Sequence, residues 1–136
     1  MKGTFIHKKD IQHVDLEWGE QSWFSRPGIT GARSLVVVEV EIYPGYGHSF
    51  HRHPQQEEVL IILEGEVEQW LEKESKILTQ GESVFIPTDV VHATFNTSDK
   101  PVRALAILGP SIGSEGYEMV EVYEDQPWNS LRSEKQ

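Results

Sequence analysis

From Ser34 to Leu108 the chain is cut into short apolar, β-branched stretches by turn residues at close intervals, and none of them follows the period of an amphipathic helix. The firmest is SLVVVEVEI, residues 34–42, which stops at Tyr43-Pro44-Gly45. Further strands are expected over 49–53, 57–64, 66–72, 76–79, 83–87, 91–96 and 102–108, punctuated by Gly65, Gly81-Glu82, Thr88-Asp89 and Ser98-Asp99-Lys100-Pro101. So many short strands must bury a common apolar face, which makes the fold class all-β, a sandwich or a barrel.

Two strands can be phased by the alternation of side chains across a sheet. In EVEQWLE, residues 66–72, Gln69 shares a face with Val67 and Leu71 and is expected to point into the barrel, while Glu66, Glu68, Trp70 and Glu72 share the other face. In VHATFNT, residues 91–97, His92, Thr94 and Asn96 lie together opposite Val91, Ala93 and Phe95. Residues 1–33, with Trp18, Trp23, Phe24, Pro27, Gly28 and Gly31, read as an irregular N-terminal arm carrying one or two short strands. Residues 111–136 read as a C-terminal extension with one strand around Glu118 to Tyr123 and a polar end expected to be disordered.

The 136 residues suffice for one domain. With 22 acidic against 12 basic residues the formal charge is −10, which repels phosphate backbones and anionic headgroups, so nucleic acid and membranes are excluded as first partners and a small molecule is expected instead. The absence of cysteine removes disulfides, thiolate metal sites and cysteine nucleophiles, leaving nitrogen and oxygen as the only metal donors. The first residues, MKGTFIHKKD, lack the apolar core of a signal peptide and no run is long enough to span a bilayer, so a cytoplasmic setting is expected.

The chemistry concentrates in GYGHSFHRHPQQEEVLIILEG, residues 45–65. His51 and His53 stand two apart in a strand-like segment, so both side chains leave the same face and can converge on one ion. Gly45, five residues, His51, one residue, His53, four residues, Glu58, six residues and Gly65 resemble the first signature motif of the cupin family. Gly81, five residues, Pro87, then His92 and Asn96 resemble its second. One position departs from the pattern: Asp89 stands where the family has glycine, and aspartate tolerates the left-handed geometry such a turn needs.

That resemblance, over about residues 34–110, implies a double-stranded β-helix or jelly-roll barrel and a divalent transition metal (Fe, Mn, Ni, Cu, Co or Zn) held by His51, His53, Glu58 and His92. Four protein ligands on an ion that prefers six leave adjacent positions open for a substrate. Alternation sends Glu57 to the face opposite Glu58, as a surface carboxylate. Gln69, Thr94 and Arg33 are the candidate substrate contacts, with Arg103 as an alternative guanidinium; most such arginines form surface pairs. Asn96 is expected to hold a turn. His48 is expected as an exposed loop histidine, like His7 and His13, and Trp23, Phe24 and Tyr46 as pocket walls or lids contributed by loops. Trp70, among glutamates on an outward face, suggests an interface, and with the family's habit this implies a homodimer.

Cupins include dioxygenases, isomerases, decarboxylases, lyases and ligand-binding members, so the fold leaves the reaction open. The leading expectation is a metal-dependent, dioxygenase-type oxidoreductase acting on a small oxygen-bearing molecule. The alternatives are a non-catalytic ligand-binding cupin, or an isomerase or lyase acting on a sugar-derived acid.

Overall fold

The computed structural model describes residues 2–132. After a 3-10 turn at Lys8–Asp10 come β1 (Gln12–Asp15), β2 (Gly19–Ser25), α1 (Pro27–Thr30), β3 (Val36–Ile42), β4 (Gly47–Arg52), β5 (Glu57–Glu64), β6 (Glu66–Leu71), β7 (Glu74–Thr79), β8 (Ser83–Ile86), β9 (His92–Phe95), β10 (Val102–Gly109), β11 (Val120–Glu121) and α2 (Trp128–Leu131). They build two antiparallel sheets, one of six strands in the order β1-β2-β3-β10-β5-β8 and one of five in the order β11-β4-β9-β6-β7. This is the architecture of a double-stranded β-helix. Among the described residues no helix is long and apolar enough to cross a membrane.

The six-stranded sheet shows why its strands form. Val36, Val38 and Ile42 of β3, Val102, Ala104, Ala106 and Leu108 of β10, and Leu60 and Ile62 of β5 point to one face and are buried, while Glu39, Glu41, Arg103 and Glu64 lie on the other. Burying one such aliphatic side chain stabilises by roughly 1.5–3 kcal/mol, so this inner face dominates the stability of the barrel. Phasing of β6 and β9 follows the expected alternation: Val67 joins the inner core, whereas Ala93 and Phe95 pack on the far side of the five-stranded sheet.

Two expectations for the flanking segments are corrected. β2 is an integral strand that pairs along β3, and Trp23 on it is 2 % exposed in the core rather than a loop-borne lid. Trp70 does not face open solvent either. Its ring meets Phe50 edge-on at 5.5 Å, its Nε1 donates to Glu68, and the C-terminal segment lays Val122, Trp128 and Leu131 over the same cluster. Arg132 closes this layer, donating to buried Glu68 and stacking on Phe95. The apolar surface that suggested an interface is thus covered by the chain's own C-terminal segment. The expected disorder of the polar end falls partly on residues 133–136, outside the described residues.

The turns behave as their residues require. Asp89 adopts φ 66°, the left-handed region anticipated for it. There its N–H donates to the His53 carbonyl and its carboxylate pairs with Arg52 at 2.7 Å, tying the second motif to the first. Asn96 holds the β9–β10 connection by donating to the carbonyls of Ile42 and Lys100 and accepting from Ser98.

Candidate metal centre

β4 and β9 are neighbours, and their register places His51 opposite His92. His53 follows the end of β4, and Glu58 enters from β5 on the opposite sheet. All four side chains are buried, at 2–7 % exposure. Each of the three imidazoles brings a ring nitrogen within 4.8 Å of the other two. Glu58 Oε1 lies 3.1 Å from His53 Nε2 and 3.3 Å from His92 Nε2.

The protons on these rings are set by the backbone. His51 Nδ1 lies 2.6 Å from the Ser49 carbonyl, His53 Nδ1 2.8 Å from that of Glu118, and His92 Nδ1 2.9 Å from that of Val90. A carbonyl only accepts, so every Nδ1 carries the hydrogen and every neutral ring presents a bare Nε2 lone pair. Glu58 Oε1 and His92 Nε2 are then two acceptors facing each other, both buried and without a hydrogen-bond partner. Unsatisfied buried acceptors cost about 1–3 kcal/mol each, and a divalent cation between them removes that cost. The donor set therefore fits a nitrogen- and oxygen-ligated transition metal.

Electrostatics point the same way. Burial is the largest influence on the Glu58 carboxyl and pushes its pKa up. The nearby imidazole nitrogens of His53 and His92 outweigh it and hold the group below the usual carboxylate range. Burial, then the neighbouring imidazoles, push His51 well below its ordinary 6.5, so this ring is neutral and ready to ligate.

Around the cluster lies a cavity of about 40 Å³, room for a few water-sized groups. Val38, Leu60, Ala106 and Leu108 form an apolar wall, and Gln21, Thr94 and Tyr117 give it polar points. Thr94 Oγ1 donates to Gln69 Oε1 at 2.6 Å, which leaves the hydroxyl oxygen of this cavity-lining residue able only to accept. Gln69 stands behind Thr94, lining a different groove with Leu71 and Lys76. Arg33 is exposed and away from the cavity; its carbonyl accepts from Ser111. Arg103 lies on the outer face, paired with Glu39 and Glu64; the Glu39 hydrogen bond foremost raises its pKa. Glu57 and His7 are exposed, and His13 reaches Ser22 at the surface.

His48 corrects its sequence expectation. It lies on β4 rather than in an exposed loop, stacked at 3.7 Å on His51 and at 4.7 Å on Trp18. Burial first, then His92 and His53 against an opposing pull from Glu58, lower its pKa to about 3. An irregularity in the β4–β9 pairing between His48 and His51 brings His48 to the His51 side, which strict alternation would not.

Residues 116–119, which sequence reading missed as part of the site, close one side of it. Gln56, 1 % exposed, donates to the carbonyls of Pro110 and Gly116 and accepts from the Glu118 N–H. That bracket delivers the Glu118 carbonyl to His53 and the Tyr117 ring to 5.3 Å from it. Burial raises the Tyr117 phenol above its ordinary value, with Glu58 and Glu121 adding to the shift, so it stays protonated and donates to Met119 Sδ at 3.2 Å. No spacing signal announces a tyrosine 59 residues beyond Glu58.

Two facing antiparallel sheets around a buried histidine cluster that could hold a metal ion define a double-stranded β-helix. Residues 38–108 match the cupin domain, and the chain belongs to the cupin family. Polyketide synthase CurC of Streptomyces cyaneus is 28% identical over 110 residues, covering 81% of this chain and 71% of that protein. KdgF from Halomonas sp. superposes with a TM-score of 0.70 at 18% identity, over 80% of this chain and 94% of that one, a likeness of fold alone. DMSP lyase DddQ from Ruegeria pomeroyi DSS-3 superposes with a TM-score of 0.69 at 27% identity, over 85% of this chain and 62% of the lyase.

Proposed function

We propose that this chain is a mononuclear metal-dependent cupin enzyme acting on a small oxygen-bearing molecule, with dioxygenase-type oxidation as its reaction. The observation that carries the reading is the convergence of three Nε2 lone pairs and the Glu58 carboxylate, all buried, beside an apolar-walled cavity of about 40 Å³. His51, His53, Glu58 and His92 would hold the ion, one of Fe, Mn, Ni, Cu, Co or Zn. When bound, it would supply Lewis acidity and, for a redox-active metal, electrons for dioxygen.

The chain supplies orientation and dryness. The carbonyls of Ser49, Val90 and Glu118 fix the imidazoles, and Val38, Leu60, Ala106 and Leu108 exclude water. Thr94, its proton spent on Gln69, accepts a hydrogen bond from a substrate O–H or N–H. Metal-reconstituted protein is expected to consume dioxygen with at least one member of a panel of catechols, flavonols, thiols and diketones, as read with an oxygen electrode. No uptake with any of these metals would remove the dioxygenase reading.

A second reading, a lyase or isomerase acting on a sugar-derived acid, draws on the 27% identity to a DMSP lyase. It predicts turnover of substrate under argon. Binding without turnover in either atmosphere identifies a ligand-binding cupin.

The reading includes a cytoplasmic setting and a homodimer. For the dimer, Val37, Ile107, Val59 and Phe85 are successive register partners on the outer face of β3, β10, β5 and β8, and Phe85 is 53 % exposed. Such an apolar row suits a two-fold contact with its own copy. Light scattering at micromolar concentration is expected to give twice the 15.5 kDa chain mass; a particle of one chain mass would refute it.

A further inference from the structure

Outside the metal cavity, on the other side of the Trp18–His48 stack, lies a second hollow of about 310 Å³, at the low end of the roughly 300–1,000 Å³ typical of small-molecule pockets. It shares Trp18 and His48 with the inner cavity, so whatever occupies it sits at the doorway of the metal centre. We propose that this hollow binds a small organic cation of the quaternary-ammonium or protonated-amine class.

Three observations select that chemistry. Trp18, Tyr46 and Tyr123 bring three aromatic rings to the walls, and an aromatic face attracts a cation through its quadrupole. Glu17 and Glu121 line the same hollow, with no lysine or arginine among the lining residues. Among the described residues neither carboxylate has a basic partner within 4.0 Å, so both are free to face a ligand. Ser49 also lines the hollow, and its Oγ is buried without a hydrogen-bond partner.

The local field supports the choice. The Tyr123 phenol is raised above its ordinary value by Glu121 first, then Glu124, with Glu17 contributing as well, so three carboxylates act on this one ring. The chain's net charge of −10 draws cations to the surface at longer range. A neutral sugar also stacks on aromatic walls, but it gives no reason for two unpaired carboxylates among the lining residues. The site does not depend on the metal, so it stands or falls apart from the reaction proposed above.

The test is isothermal titration calorimetry of the full chain with choline, with its neutral isostere 3,3-dimethylbutan-1-ol, and with glucose. Choline is expected to bind, and the neutral isostere to bind about tenfold more weakly, since loss of the charge removes both cation–π and carboxylate attraction. The double variant Glu17→Gln/Glu121→Gln is expected to weaken choline about fivefold and leave the isostere unchanged, and added salt to act in the same direction. Tyr123→Leu is expected to weaken choline while retaining the wild-type circular dichroism spectrum. Equal affinity for choline and the isostere, full choline affinity in the double variant, or glucose binding in preference to choline would each overturn the proposal.

Discussion

Replacing His92 with alanine is expected to lower metal affinity by at least about 100-fold, so that protein purified without chelator carries roughly one ion per chain as wild type and almost none as the variant. The size follows from what the ring does. Its Nδ1–H is spent on the Val90 carbonyl, its Nε2 is a buried acceptor without a partner, and it is the register partner of His51. Alanine removes one of three converging nitrogens and leaves Glu58 Oε1 with His53 alone. His53→Ala should act alike, with the added loss of its hydrogen bond to the Glu118 carbonyl. Glu57→Gln is the control: it is exposed and adjacent to Glu58 in sequence, and should leave metal content unchanged. Elemental analysis decides, and equal metal in wild type and His92→Ala would refute the site.

The sequence was most legible where chemistry is local. Spacing in 45–65 needs only the pleat of a strand and a turn to bring His51, His53 and Glu58 to one side, and Glu57 and Glu58 separate for the same reason: one is exposed, the other 7 % exposed. Alternation likewise carried the phases of β6 and β9, with Val67 in the inner core and Ala93 and Phe95 on the far side of their sheet. What stayed hidden depends on contacts between distant segments. The partners of Trp70 include Trp128 and Leu131, which no alternation rule can foresee, and Tyr117 reaches His53 only because buried Gln56 holds the intervening loop. His48 was hidden differently: β4 begins at Gly47, before the expected strand start, and the irregular pairing between His48 and His51 turns the ring to the His51 side. β2 was obscured by its composition, since Gly19 and two aromatics do not read as a strand, yet Trp23 fills the core beside Val38.

Acidification is expected to destabilise the metal-free protein steeply, beginning near pH 6.5. His48, with a pKa lowered to about 3, and His51, lowered well below 6.5, are both neutral in the folded state across this range. The unfolded chain binds protons on both as the pH falls below 6.5, so it holds more protons than the folded chain and stability declines. Each such histidine contributes a slope approaching about 1.4 kcal/mol per pH unit, about 2.8 for the two. Glu58 adds a loss of the same sign at lower pH: its folded pKa is depressed, so its contribution is complete above the unfolded value of 4.5 and fades as the pH falls toward the folded one. Against a typical total of about 5–15 kcal/mol, two units of pH consume a large share. Bound metal moves the loss to lower pH because ligation stabilises only the folded state, until protons displace the ion from the imidazoles. Urea midpoints at pH 7, 6 and 5, with and without chelator, measure this. His48→Gln should reduce the slope by about half while retaining the ion. Chelator-treated protein whose midpoint is the same at pH 7 and pH 5 would mean that these imidazoles are as easily protonated in the fold as out of it, against the stacking of half-buried Trp18 and His48 on buried His51.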